Sequence, residues 1–326
     1  MNEEEFLSHI ATCFPSGSST FFGPGDDCAL IEAPEGQLLV TVDTFTETVH
    51  FPGWTEPADL VSRCVAASLS DINAMGGVGG HIFVALGLPR TSSSTLIQYA
   101  DELAAMARKW GLKVAGGDTV ASPVRYMSMT VTGRLPAGLP PARRCGARKG
   151  DWIYLSGSLG GAAAGLALVL KGWRKKEGVW SRGEDHPSDS EKSALNAFLT
   201  PDLPYPLGPM LHGRGYMNAC LDISDGLALD LERLCRASKV GAEINVQDIP
   251  RHAGAMDLAI ENLLSSGEEF QLLWTSHRHL PFPTIGRVVQ GTSSTYFDGS
   301  RKISIRERGY DHFSTPDQAG TSPSEL

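Results

Sequence analysis

Aspartate residues stand where the predicted strands and helices of this chain begin or end. They are Asp26, Asp27, Asp43, Asp71, Asp118, Asp222 and Asp225. Any one of them is typical of a turn or a helix N-cap, and an aspartate beside a buried helical face, such as Asp71, commonly accepts a hydrogen bond from nearby backbone. Their number in one chain favours a second interpretation, in which the carboxylates bind cations.

Carboxylates without neighbouring His or Cys favour magnesium, which takes one or two carboxylates per ion and completes its shell with water and substrate phosphates. So many acids predict several magnesium ions that bridge a polyphosphate. The formal net charge of −9 agrees with this, because an acidic protein needs cations to hold phosphate esters. The same charge, with a pI near 5.5, argues against a nucleic-acid partner.

Other recognisable sites are weak in this sequence. No GxxxxGK[ST] motif is present, so a P-loop is excluded. The glycine-rich stretch 157–165 lies between a predicted strand and a predicted helix, where it either receives an anion at the helix N-terminus or only packs strand against helix. His277 and His279 are predicted to be surface histidines. The six cysteines form no CxxC pair, which indicates reduced thiols rather than zinc or disulfides.

The elements that position the aspartates follow from the spacing of apolar residues. A helix is predicted over 60–75, with Asp71 at the border of its apolar stripe, and a second amphipathic helix over Ser93–Trp110. Strands are predicted over 28–31, 37–42, 81–89, 112–117 and 125–133. The aspartates therefore lie in loops at the ends of a rigid frame, where functional residues are often found.

The chain of 326 residues is long enough for about two domains. The boundaries are predicted at 1–136 and 151–313, joined by the Pro-, Gly- and Arg-rich connection 137–150, with a disordered tail over 314–326. Residues 173–192 are highly charged without periodicity and are predicted to form an exposed, partly mobile loop. The longest apolar run, 160–170, is too short to span a bilayer, and the acidic start MNEEEF is unlike a signal peptide, which predicts a cytoplasmic protein without a membrane partner.

The sequence resembles the thiamine-monophosphate kinases, a family of the aminoimidazole-ribonucleotide-synthetase-like superfamily. The motifs that support the resemblance are GDDCA (25–29), VDT (42–44), SDINAMG (70–76), GGDT (116–119), DISDGL (222–227) and GYDHF (309–313). GDD, SDINAMG and GGDT fit the superfamily broadly, whereas DISDGL, SGEEF and GYDHF narrow it to the kinase. The resemblance covers nearly the whole chain and implies an α/β (α+β) fold of two domains, each a mixed β-sheet flanked by helices.

The resemblance also implies an activity, the direct in-line transfer of the ATP γ-phosphate to thiamine monophosphate, assisted by several Mg²⁺ ions. The implied magnesium ligands are Asp27, Thr41, Val42, Asp43, Asp71, Asp118, Asp222 and Asp225. The implied ATP contacts are Gly117, Asp118, Arg144 and Ser224, and the implied thiamine contacts are His50, Glu268 and Tyr310. No protein base is expected, since the acceptor phosphate, with a second pKa of about 6, is largely ionised at neutral pH.

The chain departs from the family at two places. The residues before Gly309 are Glu307 and Arg308, so the aromatic expected to stack on thiamine is replaced by Tyr310. The family's Pro-x-Pro-Arg element is also incomplete, because Tyr205-Pro206-Leu207 lacks the arginine. The resemblance further implies a homodimer in which the N-terminal halves, which bind ATP and magnesium, pack their sheets together.

Two alternatives stay open at this point. One is another ATP-using enzyme of the superfamily, such as aminoimidazole ribonucleotide synthetase, selenophosphate synthetase or the hydrogenase carbamoyl-dehydration protein. The other is a nucleotide-binding regulator without turnover. ADP release measured with and without thiamine monophosphate distinguishes the kinase from the regulator.

Overall fold

The structure is a computed structural model that describes residues 29–33, 36–89, 93–305 and residue 309. Asp27 and Tyr310 lie outside the described residues, as do the predicted strand start at Cys28 and the tail 314–326. No helix in the described part of the chain is long and apolar enough to cross a membrane.

The first half builds a five-stranded sheet. Its strands are β1 (Ala29–Ala33), β2 (Gly36–Thr46), β3 (Val78–Leu88), β4 (Lys113–Ala121) and β5 (Tyr126–Arg134), arranged in the order β1-β2-β5-β3-β4. β3 and β4 pair in parallel and the other neighbours are antiparallel, so the sheet is mixed as predicted.

Helix α1 (Pro57–Ala74) packs on one face of this sheet, and α2 (Ser93–Trp110) packs beside it. Proline in the first turn suits the helix start, where backbone N–H groups have no partner within the helix. The apolar stripe of α1 is fully buried against β2 and β5, so the predicted helix over 60–75 is confirmed.

The opposite face of the first sheet is open to solvent. Val42 on β2 is 60% exposed and Phe83 on β3 is 43% exposed, and every residue of β4 is exposed. Exposed large apolar side chains that are grouped on one sheet face are unusual in a monomeric protein, because such patches often mark interaction sites. This face is called the outward face below, and it consists of the side chains of β2, β3, β4 and β5 that project away from α1 and are exposed or half-buried.

The second half contains a seven-stranded mixed sheet. Its strands are β6 (Trp152–Leu155), β9 (Ala219–Asp222), β10 (Gly241–Asn245), β11 (Leu272–Ser276), β12 (Thr284–Val289), β13 (Ser294–Asp298) and β14 (Arg301–Ile303), in the order β14-β13-β10-β12-β6-β11-β9. Among the strands that the structure describes, β10 and β13 pair in parallel and the other neighbours in this sheet pair antiparallel. Strand β9 ends at Asp222, as predicted from the sequence.

Helices flank the second sheet. They are α3 (Gly161–Leu170), α4 (Asp189–Leu199), α5 (Leu207–Gly213), α6 (Leu227–Ser238) and α7 (Ile260–Ser265), with short 3₁₀ turns at Val246–Asp248 and Ala253–Ala255. The two halves share a core, because Ala74 at the end of α1 packs in one buried cluster with Tyr154, Cys220, Leu272 and Trp274. Helix α1 therefore packs on the sheet of the first half and also contacts the second half.

The prediction of an exposed mobile loop over 173–192 is wrong. The segment contains the hairpin β7 (Arg174–Lys176) and β8 (Val179–Ser181), followed by the start of α4. Trp173 and Trp180 are buried in a cluster with the end of α3, and Ser188 begins α4 with a capping box. The high charge of the segment did not mean that the whole segment is exposed. Its two tryptophans are buried, and Lys175 Nζ lies 2.7 Å from the Asp59 carboxylate of α1.

Candidate active site

Two of the predicted carboxylates, Asp43 of β2 and Asp71 of α1, lie where the helix packs on the sheet. The Thr41 hydroxyl donates a hydrogen bond to the Asp71 carboxylate. Ser68, one helical turn earlier on α1, lies close enough to Asp43 to lower its pKa. Thr41 and Asp43 are two residues apart on β2, so their side chains point to the same face of the sheet. Ser68 and Asp71 are three residues apart on α1, so their side chains lie on the same face of the helix.

Asp43 is the most unusual of these groups. Nothing in the described part of the chain donates a hydrogen bond to its buried Oδ2 atom. Burial raises the pKa of Asp43, and the nearby Ser68 hydroxyl opposes that rise. A buried carboxylate oxygen without a donor is costly in free energy, and a bound cation removes that cost. Hard oxygen donors of this kind suit magnesium.

Asp222 joins the same helix from the second half of the chain. It is 3% exposed, and the Ser70 hydroxyl of α1 donates to its Oδ2 atom at 2.7 Å. Asp222 ends β9, so the strand places its carboxylate next to the final turn of α1. Three of the predicted acids, Asp43, Asp71 and Asp222, are thus arranged around α1. Within the described residues, however, no three His, Cys, Asp or Glu side chains lie close enough to form a complete metal site.

The strand register places Asp118 elsewhere. One row across the sheet aligns Asp43 with Met129, Val84 and Gly117, and the next row aligns Thr44, Ser128, Ala85 and Asp118. Residues opposite one another in register project to the same face. Gly117 therefore belongs to the α1 face, whereas the exposed Asp118 belongs to the outward face with Thr44 and Ser128, whose hydroxyls are hydrogen-bonded at 2.9 Å. Three strand spacings separate β2 from β4, about 14 Å in all.

Val42 also lies on the outward face by the same alternation, with its side chain largely exposed. Its side chain has no oxygen, so only its backbone carbonyl offers a donor to a cation. Thr41, in contrast, projects toward α1, and its hydroxyl hydrogen is directed to Asp71.

The turn between β9 and α6 contains Ser224 and Asp225. Its backbone is held by Asp230, whose Oδ2 atom accepts from the N–H groups of Ser224, Asp225 and Gly226 at 3.2, 3.0 and 3.1 Å. Burial and the nearby Asp225 raise the pKa of Asp230 to about 7, against the lowering effect of Arg233. Sequence reasoning missed Asp230, although an acidic residue in the first turn of a helix such as α6 is favoured by the positive end of the helix dipole.

Arg233 is a second residue that sequence reasoning missed. Its Nη1 atom donates to the Asp225 carboxylate and to Asp230 Oδ1, the latter at 2.9 Å. The spacing of Asp230 and Arg233 by three residues on a helix was the available signal. Arg144 lies close enough to influence both charges, and its backbone carbonyl accepts a hydrogen bond from Ser238 at the end of α6 at 3.0 Å.

Glu268 lies on the other side of α1. Its carboxylate accepts from Arg63, a residue of α1 that is only 1% exposed. Arg63 also donates to the Phe198 carbonyl, and its guanidinium lies 5.0 Å from the centre of the Phe198 ring. Arg63, missed by sequence reasoning, connects the first half to two separate segments of the second half.

His50 lies in the turn that follows β2. Its Nδ1 atom accepts from the Thr46 N–H at 3.0 Å, so a neutral imidazole has its proton on Nε2. Arg125 holds the same loop by donating to the carbonyl oxygens of Gly53 and Thr55, both at 2.7 Å. An arginine therefore stabilises the surroundings of both residues: Arg125 holds the loop that contains His50, and Arg63 binds Glu268 directly.

The glycine-rich stretch 157–165 does precede a helix, α3, but a side chain of the protein already occupies the helix N-terminus. Glu269 is 8% exposed and accepts from the Gly160 N–H at 2.8 Å and from the N–H groups of Gly161 and Ala162. Burial raises the pKa of Glu269 to about 7, although these hydrogen bonds lower it. Of the two sequence interpretations, tight packing of the loop agrees with this arrangement better than an anion site.

Comparison with known proteins defines the class first. The model for "AIR synthase related protein, N-terminal domain" matches residues 25–135, and that for the C-terminal domain matches residues 148–277. The two mixed sheets with their helices are thus those of the AIR synthase related proteins. The hydrogenase maturation protein HypE of E. coli shares the fold alone, with a TM-score of 0.59 and 16% identity over 94% of this chain and 98% of its own.

Closer similarity narrows the class. The thiamine-monophosphate kinase of Salmonella typhimurium is 32% identical over 318 residues, which cover 90% of this chain and 92% of that protein. The solved structure of AaThiL complexed with AMPPCP and TMP has a TM-score of 0.81 and 26% identity, over 96% of this chain and 97% of that one. The chain belongs to the thiamine-monophosphate kinase family.

Proposed function

We propose that this protein phosphorylates thiamine monophosphate to thiamine diphosphate with ATP as the phosphate donor. One observation supports the proposal above the others: α1 gathers Asp43, Asp71 and Asp222 from both halves of the chain, and the buried Oδ2 atom of Asp43 has no donor among the described residues. The related AaThiL structure was solved with AMPPCP and TMP. A cytoplasmic location, where ATP is available, is part of the proposal.

Magnesium is the cation that fits these residues. Asp43, Asp71 and Asp222 would hold the ions, and an ion of this type accepts one or two carboxylates with the rest of its shell from water and phosphate oxygens. The absence of a three-carboxylate cluster among the described residues is consistent with such open sites. When bound, magnesium neutralises the phosphate charges that otherwise keep two anionic substrates apart.

The side chains of the protein then bind and orient the two substrates, thiamine monophosphate and ATP. The acceptor phosphate, with a second pKa of about 6, is already ionised and needs no protein base. The Thr46 N–H donates to His50 Nδ1 and fixes the imidazole, and Arg63 donates to the Glu268 carboxylate and orients it. His50 and Glu268 are the two residues proposed to bind thiamine monophosphate. Gly117, Asp118, Arg144 and Ser224 are proposed to bind ATP, and Asp27 and Tyr310 to complete the metal and thiamine sites.

A homodimer is the proposed assembly, with the outward faces of two first-half sheets packed together. The exposed Val42 and Phe83 support it, since such side chains favour burial. The strand register supports the dimer as well, because Asp118 projects from the outward face and Asp43 from the opposite face of the same sheet. A second chain packed on the outward face would therefore lie closer to the Asp118 carboxylate than the Asp43 site of the same chain does. Asp71→Asn and Asp118→Asn should each lack activity alone, and mixing the two variants should then restore part of the activity in mixed dimers.

Product analysis tests the proposal directly. The full-length protein is incubated with ATP, Mg²⁺ and thiamine monophosphate, and thiamine diphosphate and ADP are measured, with thiamine monophosphate omitted as the control. Asp71→Asn should abolish turnover and keep the fold, since an amide oxygen still accepts from Thr41. Asp101→Asn, an exposed acid on α2, is the matched control and should remain active. ADP release without thiamine diphosphate, or an active Asp71→Asn variant, would contradict the proposal.

The two ends of the site can be tested separately. His50→Ala should raise KM for thiamine monophosphate more than KM for ATP, because His50 is placed on the thiamine side. A larger effect on ATP would remove His50 from that role.

A further inference from the structure

The turn at Asp225 differs from the neighbourhood of Asp43 in one respect: a protein cation is already present. Arg233 donates from Nη1 to the Asp225 carboxylate and to Asp230 Oδ1. The Arg233 side chain is 14% exposed and that of Asp230 is 3% exposed, so this contact is largely shielded from water.

Asp230 leaves no oxygen for a metal ion. Its Oδ2 atom accepts the three backbone N–H groups of the turn, and its Oδ1 atom accepts from Arg233. Asp225 is then the single carboxylate of the turn with any access to solvent, at 27% exposure.

A divalent ion on Asp225 would lie within a few ångströms of the guanidinium. An arginine side chain does not lose its proton in proteins, so the two positive charges would repel each other in a partly buried setting. Arg144 is near enough to add further positive charge. The residues around Asp225 therefore do not fit the magnesium ion that the family resemblance implies there, in contrast to those around Asp43.

We propose that Arg233 takes the place of a divalent cation at Asp225, so that the nucleotide end of the site is neutralised by a fixed guanidinium. This inference deepens the proposed function and rests on it for the identity of the nucleotide. It assigns the charge next to Ser224 to the polypeptide and lowers by one the number of ions that the protein needs.

Counting bound metal tests the inference without turnover. Mn²⁺ binding to the full-length protein is measured by equilibrium dialysis in the presence of AMPPCP. Wild type and Asp225→Asn should bind the same number of ions per chain. Arg233→Gln should bind one more, and the double variant Arg233→Gln/Asp225→Asn should return to the wild-type number. Arg233→Lys, which keeps the charge, is the matched control and should bind the wild-type number.

The loss of one ion from Asp225→Asn in the otherwise wild-type chain would overturn the inference, and so would an unchanged ion count in a folded Arg233→Gln variant. The Asp225→Asn comparison decides the question even if Arg233→Gln does not fold. Failure of the proposed function is seen separately, as absence of thiamine diphosphate in the product analysis of wild type, and it does not alter the ion counts.

Discussion

Replacement of Arg63 by methionine should lower the free energy of unfolding, because it removes contacts between the two halves of the protein. Arg63 is the buried residue of α1 that binds Glu268 and the Phe198 carbonyl, both in the second half. Methionine keeps most of the aliphatic stem and its packing, so the change removes chiefly the guanidinium.

The size of the effect can be worked from the contacts that are lost. The Phe198 carbonyl loses a charged donor, which costs about 1–2 kcal/mol. The ion pair with Glu268 is discounted to about 1 kcal/mol, because the Glu268 side chain is 33% exposed and can be hydrated again. The contact between guanidinium and the Phe198 ring adds about 1 kcal/mol. The expected loss in the free energy of unfolding is therefore about 3 kcal/mol, a factor of roughly 150 in the folding equilibrium.

Urea unfolding of the protein without ligands measures this loss. Arg182→Met is the matched control, because Arg182 also pairs with a carboxylate, Asp185, and lies over a ring, Trp173, but is 46% exposed. Its loss should be below about 1 kcal/mol. KM for thiamine monophosphate should rise in Arg63→Met, since Glu268 loses its orienting partner, and stay unchanged in Arg182→Met. Equal losses in the two variants, or less than about 1 kcal/mol for Arg63→Met, would refute the reasoning.

Three further predictions concern single residues. Asp43→Asn should abolish turnover yet stabilise the ligand-free protein by about 1 kcal/mol in urea unfolding, because it removes a buried charge whose Oδ2 atom has no donor among the described residues; destabilisation would contradict this. Glu269 has an ordinary pKa of 4.5 that burial raises to about 7, so the folded state retains a proton that the unfolded state has lost, and stability should fall between pH 4.5 and 7. Glu269→Gln should flatten that fall by about 3 kcal/mol in urea midpoints measured across the range, and a parallel pH profile would contradict it. Gly208→Ala should destabilise by about 3 kcal/mol or more, because a Cβ atom there would overlap the Asn73 carbonyl, whereas Gly213→Ala in the same helix has open space and should not; equal melting temperatures would refute the clash.

The sequence predicted α1 well because its apolar residues follow the helical period over the whole segment, and burial against β2 and β5 depends on that period. Strand β2 was predicted only as far as residue 42, yet it continues to Thr46. The extension depends on pairing with Tyr126 and Met127 of β5, which lie 80 or more residues away in the chain. Local pattern contains no information on such a partner.

The aspartates of the candidate site were recognised from their motifs, but their arrangement was not predictable from them. Asp118 lies on the outward face because of strand register, which depends on the long-range pairing of β3 with β4 and β5. The buried Arg63 was missed because its partner Glu268 is 205 residues further along the chain. In the same way, the burial of Trp173 and Trp180 depends on packing against α3 and α4, which the local sequence of 173–192 does not show.

Helix α1 directs Arg63 and Ser70 to the second half and Ser68 and Asp71 to β2. Successive residues of an α-helix differ by about 100° around its axis. Insertion or deletion of one residue within this helix would therefore rotate every later side chain away from its partner at once. Loops of the protein can change length during evolution one residue at a time, whereas this helix is constrained to a fixed length and phase.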